Sequence, residues 1–274
     1  MNKKRIFAII LAGALVAACV SCSNNSEKNT DKDQALSAET IENAPEKSHF
    51  TMVEREYPVT FKAQDEDVIY VTGNLRKASM VAFDRANSAI SKNMSSALAS
   101  AHDRNTENAD VLMQDVMAAL KTADFDKQNA GFPWRISSDY ELMRNDGLVV
   151  CVKETIEYFA GDNNHNVYTF YYNFDAKTGE QITQVMYDEG DDDARDAADS
   201  LLYDKLTAKY GEIINYDMVT SSIVEATVDG WYFTDSGIVV HFNRDTIAPY
   251  EEGEFEVEFT KDELFETAKQ YFLS

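Results

Sequence analysis

Apolar and polar residues alternate through the second half of this chain, and that alternation constrains its fold more than any other feature. One face of the segment from His165 to Asp175 carries four aromatic residues, Tyr168, Phe170, Tyr172 and Phe174. A period of two predicts a strand with one buried face, so we interpret this stripe as core rather than as a carbohydrate platform. The segments 134–144 and 148–159 flank Asn145-Asp146-Gly147, a sequence that predicts a hairpin.

The same pattern continues on either side of this region. Residues 231–233 and 238–242 flank Thr234-Asp-Ser-Gly237, which predicts another hairpin. Apolar residues then alternate with glutamates in a half-buried strand at Phe255, Val257 and Phe259. Short strands are predicted over residues 54–63 and 67–72, and a return strand over 180–186.

Apolar residues at helical spacing interrupt the strands in four places. The pattern predicts one helix that opens at residues 73–74 and continues to residue 98, and a second that starts near Thr106. Residues 198–210 predict a third helix, and the capping box Thr260-x-x-Glu263 predicts a final one. We interpret the acidic run 188–193 as the cap of the third helix, with weak calcium binding as a lesser alternative.

These segments predict an α+β fold, with antiparallel sheets and helices packed on one face. We expect a small N-terminal α+β domain over residues 49–145, followed by a C-terminal domain over residues 146–274. Cys151 falls in a strand pattern, whereas Cys19 and Cys22 lie near the N-terminus. We therefore expect no structural disulfide, and the core must hold the fold together.

The N-terminal residues predict export. A basic start precedes an apolar run over residues 6–18, which has the length of a secretory signal and is too short to span a bilayer stably. The run ends Val16-Ala-Ala-Cys19, the pattern at which a signal is cleaved and a lipid is attached to the cysteine. We expect a signal over residues 1–18, a lipid on Cys19 and a polar tether over residues 19–48. The membrane-anchored protein would then lie outside the cytoplasm, in the periplasm or at the cell surface.

Charge and motif content exclude several functions. The chain has 48 acidic and 25 basic residues and a net charge of −23, which argues against nucleic acid and anionic membrane surfaces as direct partners. Motifs of serine hydrolases and zinc proteases are missing, as is a phosphate-binding glycine loop. None of the four histidines has a His or Cys partner at ligand spacing, so we expect no metal and no cofactor.

Three segments together resemble one family. They are Glu157-Tyr-Phe-Ala-Gly-Asp-Asn-Asn-His165-Asn166, residues 171–182 (Tyr-Tyr-Asn-Phe-Asp-Ala-Lys-Thr-Gly-Glu-Gln-Ile), and residues 231–243 leading into Ile247-Ala-Pro-Tyr250-Glu-Glu-Gly253. This looks like the C-terminal extracytoplasmic domain of RsiV-type anti-sigma factors, which also accompanies the catalytic part of PdaC-type peptidoglycan deacetylases. The likeness covers residues 147–264, and residues 48–144 more faintly. The loop Gly161-Asp-Asn-Asn-His165 departs from the family's usual Gly-Gly-Ala-His.

The resemblance implies an α+β fold in the cell envelope and, because RsiV-type proteins bind lysozyme, a binding function. We expect this outer module alone, without a sigma-binding domain or a deacetylase. The candidate ligand-binding residues are Tyr158, Asp162, Asn164, His165, Pro249 and Tyr250. Our hypothesis is a non-catalytic module that binds a basic, lysozyme-like protein or peptidoglycan fragments. The alternatives are a peptidoglycan-acting enzyme with paired carboxylates, or a structural component of an envelope complex.

Overall fold

Two sheets and two long helices make up the part of the chain that the structure, a computed structural model, describes: residues 48–62, 68–122, 130–161, 165–187, 190–214 and 230–272. The five-stranded sheet contains, in spatial order, β1 (Phe50–Lys62), β2 (Ile69–Ala82), β3 (Trp134–Asn145), β4 (Val149–Phe159) and β5 (His165–Asp175). The three-stranded sheet contains β6 (Trp231–Phe233), β7 (Gly237–Phe242) and β8 (Phe255–Thr260). The helices are α1 (Ser88–Leu120) and α2 (Asp192–Tyr210), and 3-10 turns cover Gly211–Ile213, Tyr250–Glu252, Lys261–Glu263 and Glu266–Tyr271.

The two faces of the five-stranded sheet pack against different partners. Helix α1 lies on one face, where Met94 and Leu98 pack against Val152 and Phe174. Cys151 of β4 points to the opposite face and joins the core of the three-stranded sheet and α2. This arrangement confirms the predicted α+β class, and it confirms that part of the aromatic stripe on β5 is core. None of the helices in the described residues is both long and apolar enough to cross a bilayer.

Strands β2 and β3 are parallel, whereas the other pairs in both sheets are antiparallel. Gly73 permits the parallel contact, because a Cβ at this position would lie 1.7 Å from the carbonyl oxygen of Ile136. The predicted domain boundary after residue 145 falls in the tight turn between β3 and β4. These two strands pair with each other, so the five-stranded sheet is continuous across that position.

The N-terminal helices differ from the prediction. Residues 73–82 belong to β2, which pairs in register with β1, and α1 is one continuous helix of 33 residues rather than two. Cross-strand pairing and the burial of Ala78 and Met80 outweigh the helical spacing of this segment. The Thr106 hydroxyl donates to the His102 carbonyl oxygen within the helix, so it does not cap a new helix.

Two later elements also differ. The predicted strand over residues 180–186 reduces to a single bridge between Gln181 and Phe174. The Gln184 side-chain oxygen accepts from the N–H groups of Val185 and Met186, so these groups are bonded locally rather than to a strand. The capping box at Thr260 is present, but it opens 3-10 turns instead of an α-helix.

The remaining elements follow the sequence. The predicted hairpins between β3 and β4 and between β6 and β7 are both confirmed. Asp191 caps α2, because its Oδ1 accepts from the Ala194 N–H at 2.9 Å, and Asp192 and Asp193 lie in the first turn. This confirms the capping interpretation for these residues, whereas 188 and 189 lie outside the described part of the chain.

Candidate functional site

The outer edge of β5 is bonded by side chains rather than by another strand. Asn243 donates through Nδ2 to the Thr169 carbonyl oxygen at 3.0 Å and accepts from the Thr169 N–H at 2.7 Å. At one end of β5 the Tyr250 hydroxyl donates to the His165 carbonyl oxygen, and toward the other the Asn173 amide donates to the Trp231 carbonyl oxygen. We call this junction between β5, β6, β7 and the segment up to Tyr250 the β5 seam.

The outer end of the β5 seam is open to solvent. His165 Nε2 lies 2.7 Å from Glu157 Oε1, and more than half of each side chain is exposed. The guanidinium of Arg244 lies 5.3 Å from the centre of the Tyr250 ring, within the range of a cation–π contact. An aromatic ring, a carboxylate, an imidazole and a guanidinium are therefore held side by side at this surface.

The inner end of the β5 seam is aromatic and buried. Tyr171 stacks on Tyr232 with ring centres 4.7 Å apart, and His241 meets Tyr171 edge-on at 5.7 Å. His241 Nδ1 is 3.5 Å from Glu256 Oε1, whereas its Nε2 is buried with no hydrogen-bond partner among the described residues. Burial, reinforced by the Glu256 charge, raises the pKa of Tyr232 to about 12, so this hydroxyl stays protonated.

The structure brings together two of the six predicted binding residues. His165 and Tyr250 are hydrogen-bonded to each other, and Pro249 is exposed directly before Tyr250. Tyr158 is buried on the α1 side of the sheet instead, where burial followed by the Asp115 charge raises the pKa of its hydroxyl. The other two predicted residues, Asp162 and Asn164, lie outside the described part of the chain.

Sequence reasoning did not single out Asn243, Glu157 or the pair of His241 and Glu256. Asn243 is 74 residues from Thr169, and nothing local marks an asparagine that replaces a strand at such a distance. Glu157 and His165 are eight residues apart but are diagonal neighbours across the β4–β5 hairpin, so strand register was the signal that could have paired them.

A fully buried carboxylate lies under α1. Glu154 accepts at Oε1 from Asn105 and Tyr140, and at Oε2 from Arg104 and Tyr172, over distances of 2.6–2.7 Å. All four hydrogen bonds come from the protein itself, which leaves no room for a substrate at either oxygen. We therefore assign Glu154 a structural role in joining the helix to the sheet.

The described residues offer little for metal or acid–base chemistry. They contain no group of three or more His, Cys, Asp or Glu side chains placed to hold a metal ion. Burial raises the pKa of two carboxyl groups, Asp115 on α1 and Asp199 on α2. These helices pack on opposite faces of the five-stranded sheet, so the two groups do not form an acid–base pair.

The sequence and the fold are similar to those of a family without assigned function. Residues 179–262 match the family described as "Protein of unknown function (DUF3298)". The crystal structure of a DUF3298 family member from Bacteroides fragilis NCTC 9343 has a TM-score of 0.53 and 11% identity, covering 79% of this chain and 93% of that one. A DUF3298 family protein from Pseudomonas aeruginosa PAO1 gives a TM-score of 0.45 and 10% identity, covering 84% and 99%. No curated protein gives a sequence match.

Proposed function

We propose that this chain is a lipid-anchored module of the cell envelope that binds a partner outside the cytoplasm and catalyses no reaction. The outer end of the β5 seam carries this proposal. There the Tyr250 ring lies beneath Arg244, and the Tyr250 hydroxyl is fixed to the backbone of His165. A binding surface held by hydrogen bonds between elements loses little conformational freedom when a partner arrives.

Charge favours a basic protein as that partner. Glu251 and Glu252 follow Tyr250 directly and are exposed, and Glu157 adds a third carboxylate across the seam. Residues 230–272 contain ten acidic and three basic residues, so the field around this surface is negative. Such a field speeds the encounter with a positively charged partner and weakens as salt is added.

Lysozyme is the candidate partner that the resemblance to RsiV-type domains suggests. Lysozymes are basic, and binding to this acidic surface would follow from charge together with the half-buried ring of Tyr250. Peptidoglycan fragments are the second candidate, because sugar rings stack on tyrosine faces and their hydroxyls bond to groups such as His165 and Glu157. The two ligands differ in charge, so the dependence of binding affinity on salt concentration distinguishes them.

Calorimetric titration of the mature chain with lysozyme at low and at physiological salt tests this function. We compare Glu251→Lys/Glu252→Lys with the matched control Glu107→Lys/Asp110→Lys, which reverses two exposed charges on α1. Both variants have the same net charge. If the β5 seam binds lysozyme, the first variant loses about tenfold or more in affinity, whereas the control keeps most of it. Equal losses would mean that net charge alone attracts lysozyme, and no heat in any chain would exclude lysozyme as the partner.

The anchor is tested separately by labelling with radioactive palmitate in cells. Cys19→Ala is expected to abolish label and to release the chain from the membrane fraction. Cys22→Ala is the matched control, three residues along the predicted tether, and is expected to retain both. Label that persists in the Cys19→Ala chain would contradict the proposed lipid attachment.

A further inference from the structure

The β1–β2 hairpin presents an exposed surface that the proposed partner-binding site does not use. The cross-strand register aligns Thr51 with Val81, Val53 with Ser79 and Arg55 with Lys77, and the Phe83 N–H donates to the His49 carbonyl oxygen at 2.9 Å. Strand alternation places the six paired residues on one side of the hairpin, and His49 and Phe83 lie just beyond its end; we call this surface the hairpin face. The other side holds Phe50 and Met80, which are buried beneath α1.

Apolar side chains are concentrated at one end of the hairpin face. Val53 is 46% exposed, Val81 45% and Phe83 68%. Val53 and Val81 are diagonal neighbours across the two strands, and Phe83 follows two residues after Val81, just past the end of β2. Single exposed apolar residues are common, whereas exposed apolar residues that lie together can serve as a contact surface.

Two positive charges lie next to this apolar group. Arg55 and Lys77 are directly opposed in the register, and neither forms an ion pair within the described residues. Opposed like charges destabilise a strand pair, so folding alone does not account for them. On the other side of the hairpin, by contrast, Arg76 is paired with Glu54 at 2.9 Å. A basic strip of this kind is unusual on a chain with a net charge of −23.

The N-terminal segment joins the body next to the hairpin face. Ser48 is the first described residue, and the next residue, His49, is bonded to Phe83. The predicted tether of residues 19–48 therefore ends beside the apolar group. A lipid on Cys19, about 30 residues before this point in the chain, would raise the local concentration of the membrane at the hairpin face.

We propose that the hairpin face docks on the surface of a bilayer that contains anionic phospholipid. Phe83, Val53 and Val81 enter the interface between headgroups and acyl chains, while Arg55 and Lys77 contact the phosphate groups. This inference rests on the proposed lipid anchor, since the long-range repulsion of an acidic protein from an anionic membrane would otherwise oppose the contact. Docking would hold the rest of the molecule, including the β5 seam, in a defined orientation relative to the membrane.

The test uses lipidated chains in vesicles with brominated acyl chains, which quench nearby tryptophan. Phe83→Trp is compared with Ile213→Trp, because Ile213 is also about half exposed (46%) but lies outside the hairpin face. We expect quenching at position 83 at least threefold stronger than at 213. Arg55→Gln/Lys77→Gln in the Phe83→Trp chain should reduce it by half or more when the vesicles contain phosphatidylglycerol. Urea unfolding of each variant shows that the fold is kept.

The outcomes separate this inference from the proposed function. A chain that carries no lipid refutes the anchor. A lipidated chain with equally weak quenching at both positions refutes the docking while leaving the anchor intact. Cross-linking between copies through position 83, with no quenching, would assign the hairpin face to a second copy of the chain and overturn the membrane contact. If the tryptophan at position 83 is quenched strongly and to the same extent with and without anionic lipid, the proposed contact of Arg55 and Lys77 with phosphate groups is refuted.

Discussion

Asn243 pairs with Thr169 as a neighbouring strand would, with one donated and one accepted hydrogen bond between a side-chain amide and a backbone. Tyr210 does the same on the edge of β8, where its hydroxyl accepts from the Glu256 N–H at 3.1 Å and donates to the Glu256 carbonyl oxygen at 2.9 Å. Open strand edges invite pairing with other chains. Side chains from distant segments therefore bond an edge in each sheet.

Removing the Asn243 amide should destabilise the β5 seam. Asn243→Ala leaves the Thr169 N–H and carbonyl oxygen without their partners, which we expect to lower the free energy of unfolding by about 1–3 kcal/mol. Urea denaturation measures this loss. The control is Asn93→Ala, since Asn93 is exposed and donates a single bond to the Thr178 carbonyl oxygen. The control should change the free energy by less than about 0.5 kcal/mol, and equal losses in the two variants would contradict the assigned role.

The buried carboxylate of Glu154 should be the most sensitive polar position. In Glu154→Gln an amide group replaces an oxygen that accepts two hydrogen bonds, so donors face each other in a site closed to water. We expect a loss of about 3–5 kcal/mol in the free energy of unfolding, because Arg104 is left close to a neutral partner. Glu141→Gln on β3 is the control, since Glu141 is exposed and 3.8 Å from Lys153. A Glu154→Gln chain as stable as this control would show that the site tolerates a neutral side chain.

The lowered pKa of Asp146 predicts that the free energy of unfolding decreases as pH falls. Partial burial raises its pKa, but hydrogen bonds from the Val149 N–H, Arg144 and the Leu148 N–H outweigh burial and hold the pKa below its usual value. The stabilisation is therefore complete above the unfolded pKa of about 3.9, and it is lost as pH falls through the folded pKa. Asp146→Asn should flatten the fall in the free energy of unfolding between about pH 5 and pH 2.

Urea unfolding at several pH values between 7 and 2 measures this slope. Asp204→Asn is the control, because Asp204 is exposed on α2. The control should retain the slope of the unmodified chain. The same slope in Asp146→Asn as in the unmodified chain would refute the contribution of this carboxylate.

Cys151 should report on the opening of the fold. Burial raises the pKa of its thiol to about 12, so on the order of one molecule in ten thousand carries a thiolate at pH 8. In a Cys19→Ala/Cys22→Ser chain we expect negligible reaction with a disulfide reagent until urea unfolds the protein, and complete reaction afterwards. The Cys19→Ala chain is the comparison, with one rapidly reacting thiol from the predicted tether. Rapid labelling of Cys151 in the native chain would show that β4 opens readily.

Strand content was readable from the sequence wherever local signals agreed. The period-two aromatic stripe on β5 and the turn residues Asn145-Asp146-Gly147 each sufficed to predict their elements. The prediction failed over residues 73–82, because small and apolar residues there fit a helix as well as a strand. Pairing with β1 decided the outcome, and that pairing is a contact between segments that local periodicity does not describe.

The candidate site was predictable only in part. His165 and Tyr250 were named because the segments containing them resemble a family, yet nothing local indicated that one would bond to the other across 85 residues. Tyr158 was named on the same grounds but faces α1, since its position in β4 puts it on the buried side. Which face a strand residue occupies depends on what packs there.

By itself the sequence determined the α+β class, the positions of two hairpins, the cap of α2 and the large excess of negative charge. These depend on interactions between residues close in the chain, or on composition. Only the tertiary structure decided that Asn243 closes the edge of β5, that Glu154 is enclosed by four donors, and that Arg55 and Lys77 are opposed across the β1–β2 hairpin. Each of these depends on packing or strand register between separate segments, which is set by the burial of the whole core rather than by any local pattern.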